Sequence, residues 1–254
     1  MIRSLKIYIY AIFIVIGSGF KLRKSKKLAS QSSNQLNKEK IFAGPKMVSQ
    51  KVIQKTKSDV HVYGQVKLPD EAVLFVANHQ GLFDILVLIG YLGKPIGFIA
   101  KKETKKLPIV STWMELIHCV FIDRSDRRQA VKAINQGIAH LKIGHSIVVF
   151  PEGTRSRGSN LNEFKSGSLR LATKAKVPIV PVAINGTYQM MEEDKGKIKP
   201  STITMTITEP IYPSDYQDKK HGELAASIQT TIQETIRSQD TANLGKYEIN
   251  EAIH

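Results

Sequence analysis

His79 and Asp84 are the residues of this sequence whose types and spacing best suit proton transfer. Histidine exchanges a proton near neutral pH, and a carboxylate that accepts a hydrogen bond from its ring orients the ring and raises its basicity. Residues five positions apart do not share a face of a continuous helix, so the pair requires a turn, which Gly81 permits. A simpler interpretation is that Asp84 caps a helix and His79 is a polar loop residue. Taken alone, the pair favours the simpler interpretation.

Two later segments also place charged residues directly after an apolar run. The first ends in Asp123 and Arg124, and the second contains Glu152, Gly153 and Arg155. Ligand sites of open α/β sheets lie beyond the carboxyl ends of the strands, so these side chains are predicted to meet His79 in one crevice. Two arginines near one point indicate an anionic ligand, and a glycine lets backbone N–H groups approach it. Each segment alone would be an ordinary ion pair or loop.

Short apolar stretches alternate with longer segments of helical character along the chain. Strands are predicted at residues 61–66, 72–77, 96–100, 118–122, 146–150, 179–184 and 202–207. Helices are predicted at residues 46–56, 84–91, 106–116, 126–143, 166–176 and 223–237. This alternation predicts an α/β fold, in which a sheet is covered by helices on both faces. Pro178 and Pro181 favour an edge or irregular position for their strand, which is otherwise read as core.

The amino-terminal segment is both apolar and basic. Residues 7–20 carry no charge, and as a helix they would span about 21 Å, less than the roughly 30 Å of a hydrocarbon core. A basic cluster follows directly at residues 21–27, which disfavours a cleaved secretory signal. A tilted transmembrane helix and a helix embedded in one leaflet both stay open. Either would place the basic cluster at the cytoplasmic surface of the cell membrane, beside anionic lipid. Residues 29–40 are predicted to form a linker or a polar helix start.

Composition narrows the class of protein. The 254 residues carry a net charge of +15, and residues 1–56 hold twelve of the lysines and arginines against one glutamate. Such a balance favours anionic partners, but no nucleic-acid module or basic stretch interleaved with aromatic residues is present. The single cysteine, Cys119, lies in an apolar context typical of a packed thiol. No Gly-x-Ser-x-Gly, HExxH or paired Cys/His pattern indicates a covalent nucleophile or a metal site, and no cofactor is expected.

Four segments in this order resemble the glycerolipid acyltransferases, and specifically the 1-acyl-sn-glycerol-3-phosphate acyltransferase family. They are Asn78-His79 with Asp84, Phe121-Ile122-Asp123-Arg124, Phe150-Pro151-Glu152-Gly153-Thr154-Arg155-Ser156 and Val177-Pro178-Ile179-Val180-Pro181-Val182. The segment Lys101-Lys102-Glu103 also looks like one of the family, although Thr104 stands where a leucine is usual. The resemblance spans about residues 60–210. It implies an α/β fold with a mixed sheet flanked by helices, behind an amino-terminal membrane-associated helical segment.

The resemblance also implies an activity. A fatty acyl group would pass from a thioester to the sn-2 hydroxyl of lysophosphatidic acid, giving phosphatidic acid for phospholipid synthesis. His79 would take the hydroxyl proton and Asp84 would hold the imidazole, without a covalent acyl-enzyme. The acceptor would be bound by Lys101, Arg124, Glu152, Gly153, Thr154 and Arg155. Backbone N–H groups near Gly153 are candidate donors to the tetrahedral oxyanion.

The expected organisation has three parts: a basic membrane-anchoring segment at residues 1–56, an acyltransferase domain at 57–238 and a polar tail at 239–254. The expected partners are a phospholipid surface, lysophosphatidic acid, and an acyl donor that is either acyl-CoA or acyl carrier protein. Two alternatives stay open. One is an acyltransferase with another acceptor, such as glycerol 3-phosphate or another lysophospholipid. The other is a non-catalytic protein that binds anionic membranes or nucleic acid. His118, His140 and His145 have no partner pattern and are not expected to be catalytic.

Overall fold

The computed structural model describes residues 2–31 and 34–251, and the backbone alone for residues 242–251. Its seven strands are β1 (Asp59–Tyr63), β2 (Leu74–Ala77), β3 (Ile96–Lys101), β4 (Val120–Ile122), β5 (Ser146–Val149), β6 (Ile179–Asn185) and β7 (Thr202–Ile207). They form one sheet in the order β1-β7-β6-β2-β5-β3-β4. The helices are α1 (Ile2–Gln31), α2 (Gln35–Thr56), α3 (Phe83–Tyr91), α4 (Val110–Leu116), α5 (Arg127–Lys142), α6 (Arg170–Ala175), α7 (Thr187–Met191), α8 (Pro213–Tyr216) and α9 (His221–Glu251).

Five neighbouring strands run parallel and bring their carboxyl ends to one edge of the sheet. β6, β2, β5, β3 and β4 pair in parallel in that order, whereas β7 pairs antiparallel with β6 and parallel with β1. The prediction of a mixed sheet flanked by helices is confirmed. The segments that follow β2, β5 and β4 therefore emerge at the same edge, which is where the sequence places its charged residues.

Both faces of the sheet are buried. Along β2 the side chains alternate, since Phe75 packs into a core beneath α2, α3 and α4, while Leu74 and Val76 pack into a second core beneath α5, α6 and α9. A strand buried on both sides needs apolar residues at every position, which explains its unbroken apolar sequence. This rigid central strand ends just before His79.

The prediction of an edge or irregular position for β6 was wrong. The strand is fully buried and lies inside the sheet between β2 and β7. Pro181 lacks only the N–H that would face Thr208, the first residue after the end of β7, and its carbonyl still accepts a hydrogen bond from the Thr208 N–H at 3.1 Å. Pro178 precedes the strand, and its carbonyl accepts from the Leu74 N–H at 2.9 Å. Neither position is one where the sheet requires an N–H donor from proline.

The first strand ends earlier than its alternating sequence predicts. Gly64 has a φ of +79°, and a Cβ at this position would lie 2.0 Å from the carbonyl oxygen of Ile207. Only glycine fits there, so the chain leaves the sheet after Tyr63 and forms a 3₁₀ turn at Gln65–Lys67. The helix predicted at residues 166–176 begins as a 3₁₀ turn at Ser166–Leu169. The helix predicted from residue 106 begins only at Val110, after a 3₁₀ segment at Lys102–Lys106.

The amino-terminal segment folds as two helices that pack together. Residues 29–40, predicted as a linker or helix start, are mostly helical, and Asn34 caps α2 by accepting from the Asn37 N–H at 2.8 Å. Ser32 and Ser33 lie outside the described residues. In the described part of the chain, α1 is the helix long and apolar enough to cross a membrane. One of its faces lies against the protein, where Ser18 accepts from the Trp113 indole N–H at 3.0 Å.

At the other end of the chain, helix α9 continues past its predicted end. It was expected to stop at residue 237, but it runs to Glu251 and so extends into the predicted polar tail. Residues 252–254 of that tail lie outside the described residues.

Candidate active site

His79 and Asp84 are in direct contact. The His79 Nδ1 lies 2.7 Å from the Asp84 Oδ2, and the same oxygen accepts from the Gly81 N–H at 2.9 Å. The contact arises because residues 78–82 turn between the end of β2 and the start of α3, which brings the first turn of the helix back beneath the histidine. Asp84 is fully buried, so its carboxylate interacts with the ring out of contact with solvent.

The other Asp84 oxygen is held by Thr187. The hydroxyl of Thr187 donates to Oδ1, and this residue lies at the carboxyl end of β6, where α7 begins. The neighbouring Gly186 N–H donates to the Gln80 Oε1 at 3.1 Å. The segment after β6 therefore braces both the carboxylate and the turn that carries His79.

The histidine ring is fixed on its flat side as well. It stacks on the Phe150 ring with centroids 4.0 Å apart and an interplanar angle of 16°. Its Nδ1 donates to a carboxylate, so Nε2 is the ring nitrogen left unprotonated in the neutral imidazole. The His79 side chain is 15% exposed, so one edge of the ring is open to a ligand. This arrangement is that of a general base oriented by a buried acid.

Glu152 lies beneath the site, where it joins two loops. One carboxylate oxygen accepts from the His79 N–H at 2.6 Å and the other from the Asn162 N–H at 2.9 Å. Glu152 is only 3% exposed, and this burial raises the pKa of its carboxyl. Both oxygens are used by backbone donors, so the side chain holds the loop after β5 against the loop after β2.

Arg124 reaches the same loop from the end of β4. Its Nη1 donates to the Gly153 carbonyl. Asp123 does not pair with this arginine, but with Lys102 at 2.5 Å, and the hydrogen bond from Lys102 lowers the pKa of the Asp123 carboxyl to about 2. The guanidinium of Arg124 is thus directed toward Gly153, in the crevice where the sequence places an anion site.

Gly153 has a φ of +76° and a Cβ added there would meet side-chain atoms no closer than 3.6 Å. Its own N–H donates to the Phe150 carbonyl at 3.1 Å, so this group is already used within the turn and is not an oxyanion donor. Thr154 is exposed beside it. Lys101 ends β3 with an exposed side chain, and its carbonyl accepts from the Thr104 hydroxyl at 2.7 Å.

Arg155 is oriented by a buried acid that sequence patterns did not indicate. Its Nη1 lies 2.8 Å from the Glu192 Oε1, and the Glu192 side chain is 3% exposed. The same oxygen accepts from the Leu82 N–H at 2.9 Å. Glu192 therefore ties Arg155 to the turn of His79, while the Ser156 N–H adds a bond to the His79 carbonyl at 2.8 Å.

The sequence missed Phe150, Thr187 and Glu192 as parts of this site. Phe150 ends the strand predicted at residues 146–150, but no role in the site is predicted for its ring. Thr187 could have been found by the strand-end rule, because Gly186-Thr187 follows β6 in the same way that His79 follows β2. Nothing in the sequence marks Glu192, which is set apart from every quoted segment.

Other titratable groups lie elsewhere. His118, His140 and His145 cluster where β4 and β5 begin, at the edge opposite the site. Cys119 is buried, and burial raises the pKa of its thiol to about 12, which does not suit a nucleophile. Among residues 2–31 and 34–251, no group of three or more His, Cys, Asp or Glu residues is arranged to hold a metal ion.

A sequence profile of the Acyltransferase family matches residues 59–185, which include His79, Asp84, Arg124, Glu152 and Arg155. The chain belongs to this acyltransferase family. The matched region begins at β1 and ends at β6, so it contains the strand ends that carry His79, Arg124 and Glu152, whereas Thr187 and Glu192 lie just beyond it.

Relatives of this acyltransferase include proteins from yeast and bacteria. It is 32% identical to the "1-acyl-sn-glycerol-3-phosphate acyltransferase" of Saccharomyces cerevisiae over 70% of this chain and 60% of that protein. It is 37% identical to the "Probable 1-acyl-sn-glycerol-3-phosphate acyltransferase" of Mycoplasma pneumoniae over 66% of this chain and 67% of that protein.

A solved structure covers nearly the whole acyltransferase. The crystal structure of the 1-acyl-sn-glycerophosphate (LPA) acyltransferase PlsC from Thermotoga maritima matches 94% of this chain and 95% of its own, with a TM-score of 0.82 and 29% sequence identity. The similarity therefore extends beyond the family region and includes the amino-terminal helices.

Proposed function

We propose that this acyltransferase moves a fatty acyl group from a thioester to the sn-2 hydroxyl of 1-acyl-sn-glycerol 3-phosphate, giving phosphatidic acid. The observation that carries the proposal is a histidine oriented by a buried carboxylate, beside arginines at the same edge of the sheet. The histidine with its carboxylate suits activation of a hydroxyl, and the arginines suit binding of a phosphate. The relatives that carry this name support the choice of acceptor.

In the proposed reaction the acceptor hydroxyl attacks the thioester carbonyl directly. The His79 Nε2 takes the hydroxyl proton as the C–O bond forms, and the Asp84 carboxylate stabilises the resulting imidazolium. The tetrahedral intermediate then expels the thiolate, which receives the proton from His79. General base assistance of this kind accelerates a reaction by about 10²–10⁴-fold. No covalent acyl-enzyme is required.

The acceptor phosphate is proposed to bind at Gly153, near Arg124 and Arg155. Glu152 contributes by holding this loop, because both of its oxygens are occupied by backbone donors. Thr154 and Lys101 are proposed to contact the acceptor from the exposed rim. The acyl donor is a co-substrate, a thioester of coenzyme A or of acyl carrier protein, and no resident cofactor takes part.

The amphiphilic substrates explain the amino-terminal helix. Its outward face carries exposed apolar side chains, including Ile12, Phe13 and Phe20, which are 58%, 69% and 89% exposed. We propose that this face lies in the cytoplasmic leaflet of the cell membrane, with the basic residues 21–27 at the headgroups. A helix that packs against its own domain along one face fits an interfacial position better than a crossing one. The site could then receive a lipid whose chain stays in the bilayer.

The test is acyl transfer by purified protein in vesicles with lysophosphatidic acid as acceptor. His79→Ala is expected to lower kcat by at least about 10²-fold, whereas the exposed His61→Ala serves as a matched control and keeps full activity. Parallel reactions with glycerol 3-phosphate and other lysophospholipids test the acceptor. Activity on one of these but none on lysophosphatidic acid would overturn the proposed substrate, and full activity of His79→Ala would overturn the mechanism.

A further inference from the structure

Lys165 lies in a segment, Phe164–Gly167, whose chemistry the proposed mechanism leaves unused. Its Nζ lies 3.6 Å from the position that a Cβ at Gly153 would occupy, and the Arg124 Nη1 lies 3.6 Å from the same position. Two cationic nitrogens therefore converge on one point, which the missing side chain of Gly153 leaves open.

Within the part of the chain whose side chains are described, neither of these cations forms an ion pair with a carboxylate. Arg155 differs, because the buried Glu192 balances its charge. Two like charges that face each other without a counter-ion raise the local potential, and an anion between them would relieve it. Arg124 and Lys165 thus form a pair of neighbouring cations that no carboxylate among the described side chains neutralises, and Arg124 keeps this place through its hydrogen bond to the Gly153 carbonyl.

Lys165 is held in place by its backbone. Its N–H donates to the Pro151 carbonyl at 3.1 Å, which ties it to the loop of Gly153. The preceding Phe164 is 5% exposed in the core, and its N–H donates to the Gln229 Oε1 at 3.0 Å. Lys165 itself is exposed, so its backbone is anchored while its side chain is accessible to a ligand.

We propose that Lys165 and Arg124 together bind the phosphate of the acceptor above Gly153, and that Arg155 mainly fixes the loop through Glu192. This inference rests on the proposed function, since it names a further binding residue for the same acceptor. Phosphate oxygens accept charge-assisted hydrogen bonds from both ammonium and guanidinium groups, and an approach over glycine meets no side chain.

The experiment measures acceptor KM and kcat for Lys165→Met, with Lys174→Met on the exposed surface of α6 as matched control. Loss of one hydrogen bond between charged groups is expected to raise KM for lysophosphatidic acid by about 10- to 100-fold with little change in kcat. Lys165→Arg is expected to restore most of the binding. A second acceptor, an uncharged monoacylglycerol, has no phosphate for Lys165 to bind. The wild-type protein and all variants should therefore acylate it at the same low rate.

An unchanged KM for lysophosphatidic acid in Lys165→Met would overturn the inference. A fall in kcat alone would also overturn it, because that result indicates a role in chemistry or structure. Failure of the wild-type protein to acylate lysophosphatidic acid would instead refute the proposed function. In that case, inhibition by inorganic phosphate is measured with whichever acceptor the wild-type protein uses. Loss of this inhibition in Lys165→Met would support the anion site. Unchanged inhibition in Lys165→Met would overturn it.

Discussion

The substitution Asp84→Asn isolates the charge of the buried acid. The structure decides how the amide would sit, because Oδ2 accepts from two N–H groups while Oδ1 contacts the Thr187 hydroxyl. A hydroxyl can accept as well as donate, so the amide NH₂ is expected to turn toward Thr187 and the amide oxygen toward His79. The histidine tautomer is then preserved, and what is lost is the negative charge.

The size of the effect follows from that charge. An ion pair about 4 Å apart at an effective dielectric of 20 is worth about 4 kcal/mol. Loss of this stabilisation of the imidazolium raises the barrier by up to about 4 kcal/mol, which is up to about 10³-fold in kcat. The free energy of unfolding should fall by less than about 3 kcal/mol, since each buried polar group keeps a partner. Asp84→Ala should cost more in kcat, because the ring also loses its orienting acceptor.

The assay follows thiol release from an acyl thioester together with phosphatidic acid formation, at saturating acceptor. Thermal unfolding and vesicle binding show that each variant is folded, and Asp218→Asn on the exposed surface is the matched control. If folded Asp84→Asn kept kcat within threefold of the parent, the carboxylate would have no electrostatic part in catalysis. If it were as inactive as Asp84→Ala, the charge would account for the whole effect, and orientation of the ring would contribute nothing measurable.

Three further outcomes are expected. Gly64→Ala should destabilise the protein by several kcal/mol more than Gly196→Ala. Both glycines have a positive φ, but only a Cβ at Gly64 would lie 2.0 Å from a backbone carbonyl oxygen. Equal midpoints of chemical denaturation for the two variants would contradict this prediction. Burial lowers the pKa of His145 to about 3, so the unfolded state binds a proton first as the pH falls below 6.5. The contribution of His145 to stability should then decline by up to about 1.4 kcal/mol per pH unit between pH 6 and 4. Burial also lowers the pKa of the neighbouring His118, to about 4, so His145→Gln should reduce the slope seen in denaturation curves without abolishing it. Phe13→Asp on α1 should reduce the fraction of protein that sediments with anionic vesicles. The control is Ile143→Asp, at a side chain that is 61% exposed at the end of α5, and it should leave that fraction unchanged. Equal binding by the two variants would argue against α1 as the membrane-binding face.

Much of the fold could be predicted because local patterns and tertiary structure agree. β2, β5 and β7 are unbroken apolar or alternating runs, and the sheet buries them as their sequences require. The predictions failed where a contact between residues far apart in sequence determines where a strand ends or where it lies in the sheet. β1 stops at Gly64 because this residue has a φ of +79°, and the carbonyl of Ile207, more than a hundred residues away, leaves room for no side chain there. β6 lies inside the sheet although it contains Pro181, because β7 ends beside this proline and no strand residue there needs its missing N–H.

The features of the candidate site likewise fall into those that the sequence predicts and those that depend on tertiary contacts. By itself the sequence determined which residues have the right chemistry and that each follows an apolar strand: His79, Arg124, Glu152 and Arg155. That is local information, since side-chain type and strand pattern are properties of neighbouring residues. Only the tertiary structure decided which of these groups are accessible and which are occupied in holding the loops.

The physical reason is that partner choice depends on distances across the fold. Glu152 is occupied by the His79 N–H and Arg155 by Glu192, whereas Arg124 and Lys165 meet at Gly153 without a counter-ion in the part of the chain whose side chains are described. These partners lie tens of residues apart in sequence. Parallel strands bring their carboxyl ends to one edge. Burial then requires the carboxylates of Asp84, Glu152 and Glu192 to find partners, whereas the exposed Arg124 and Lys165 stay accessible to a ligand.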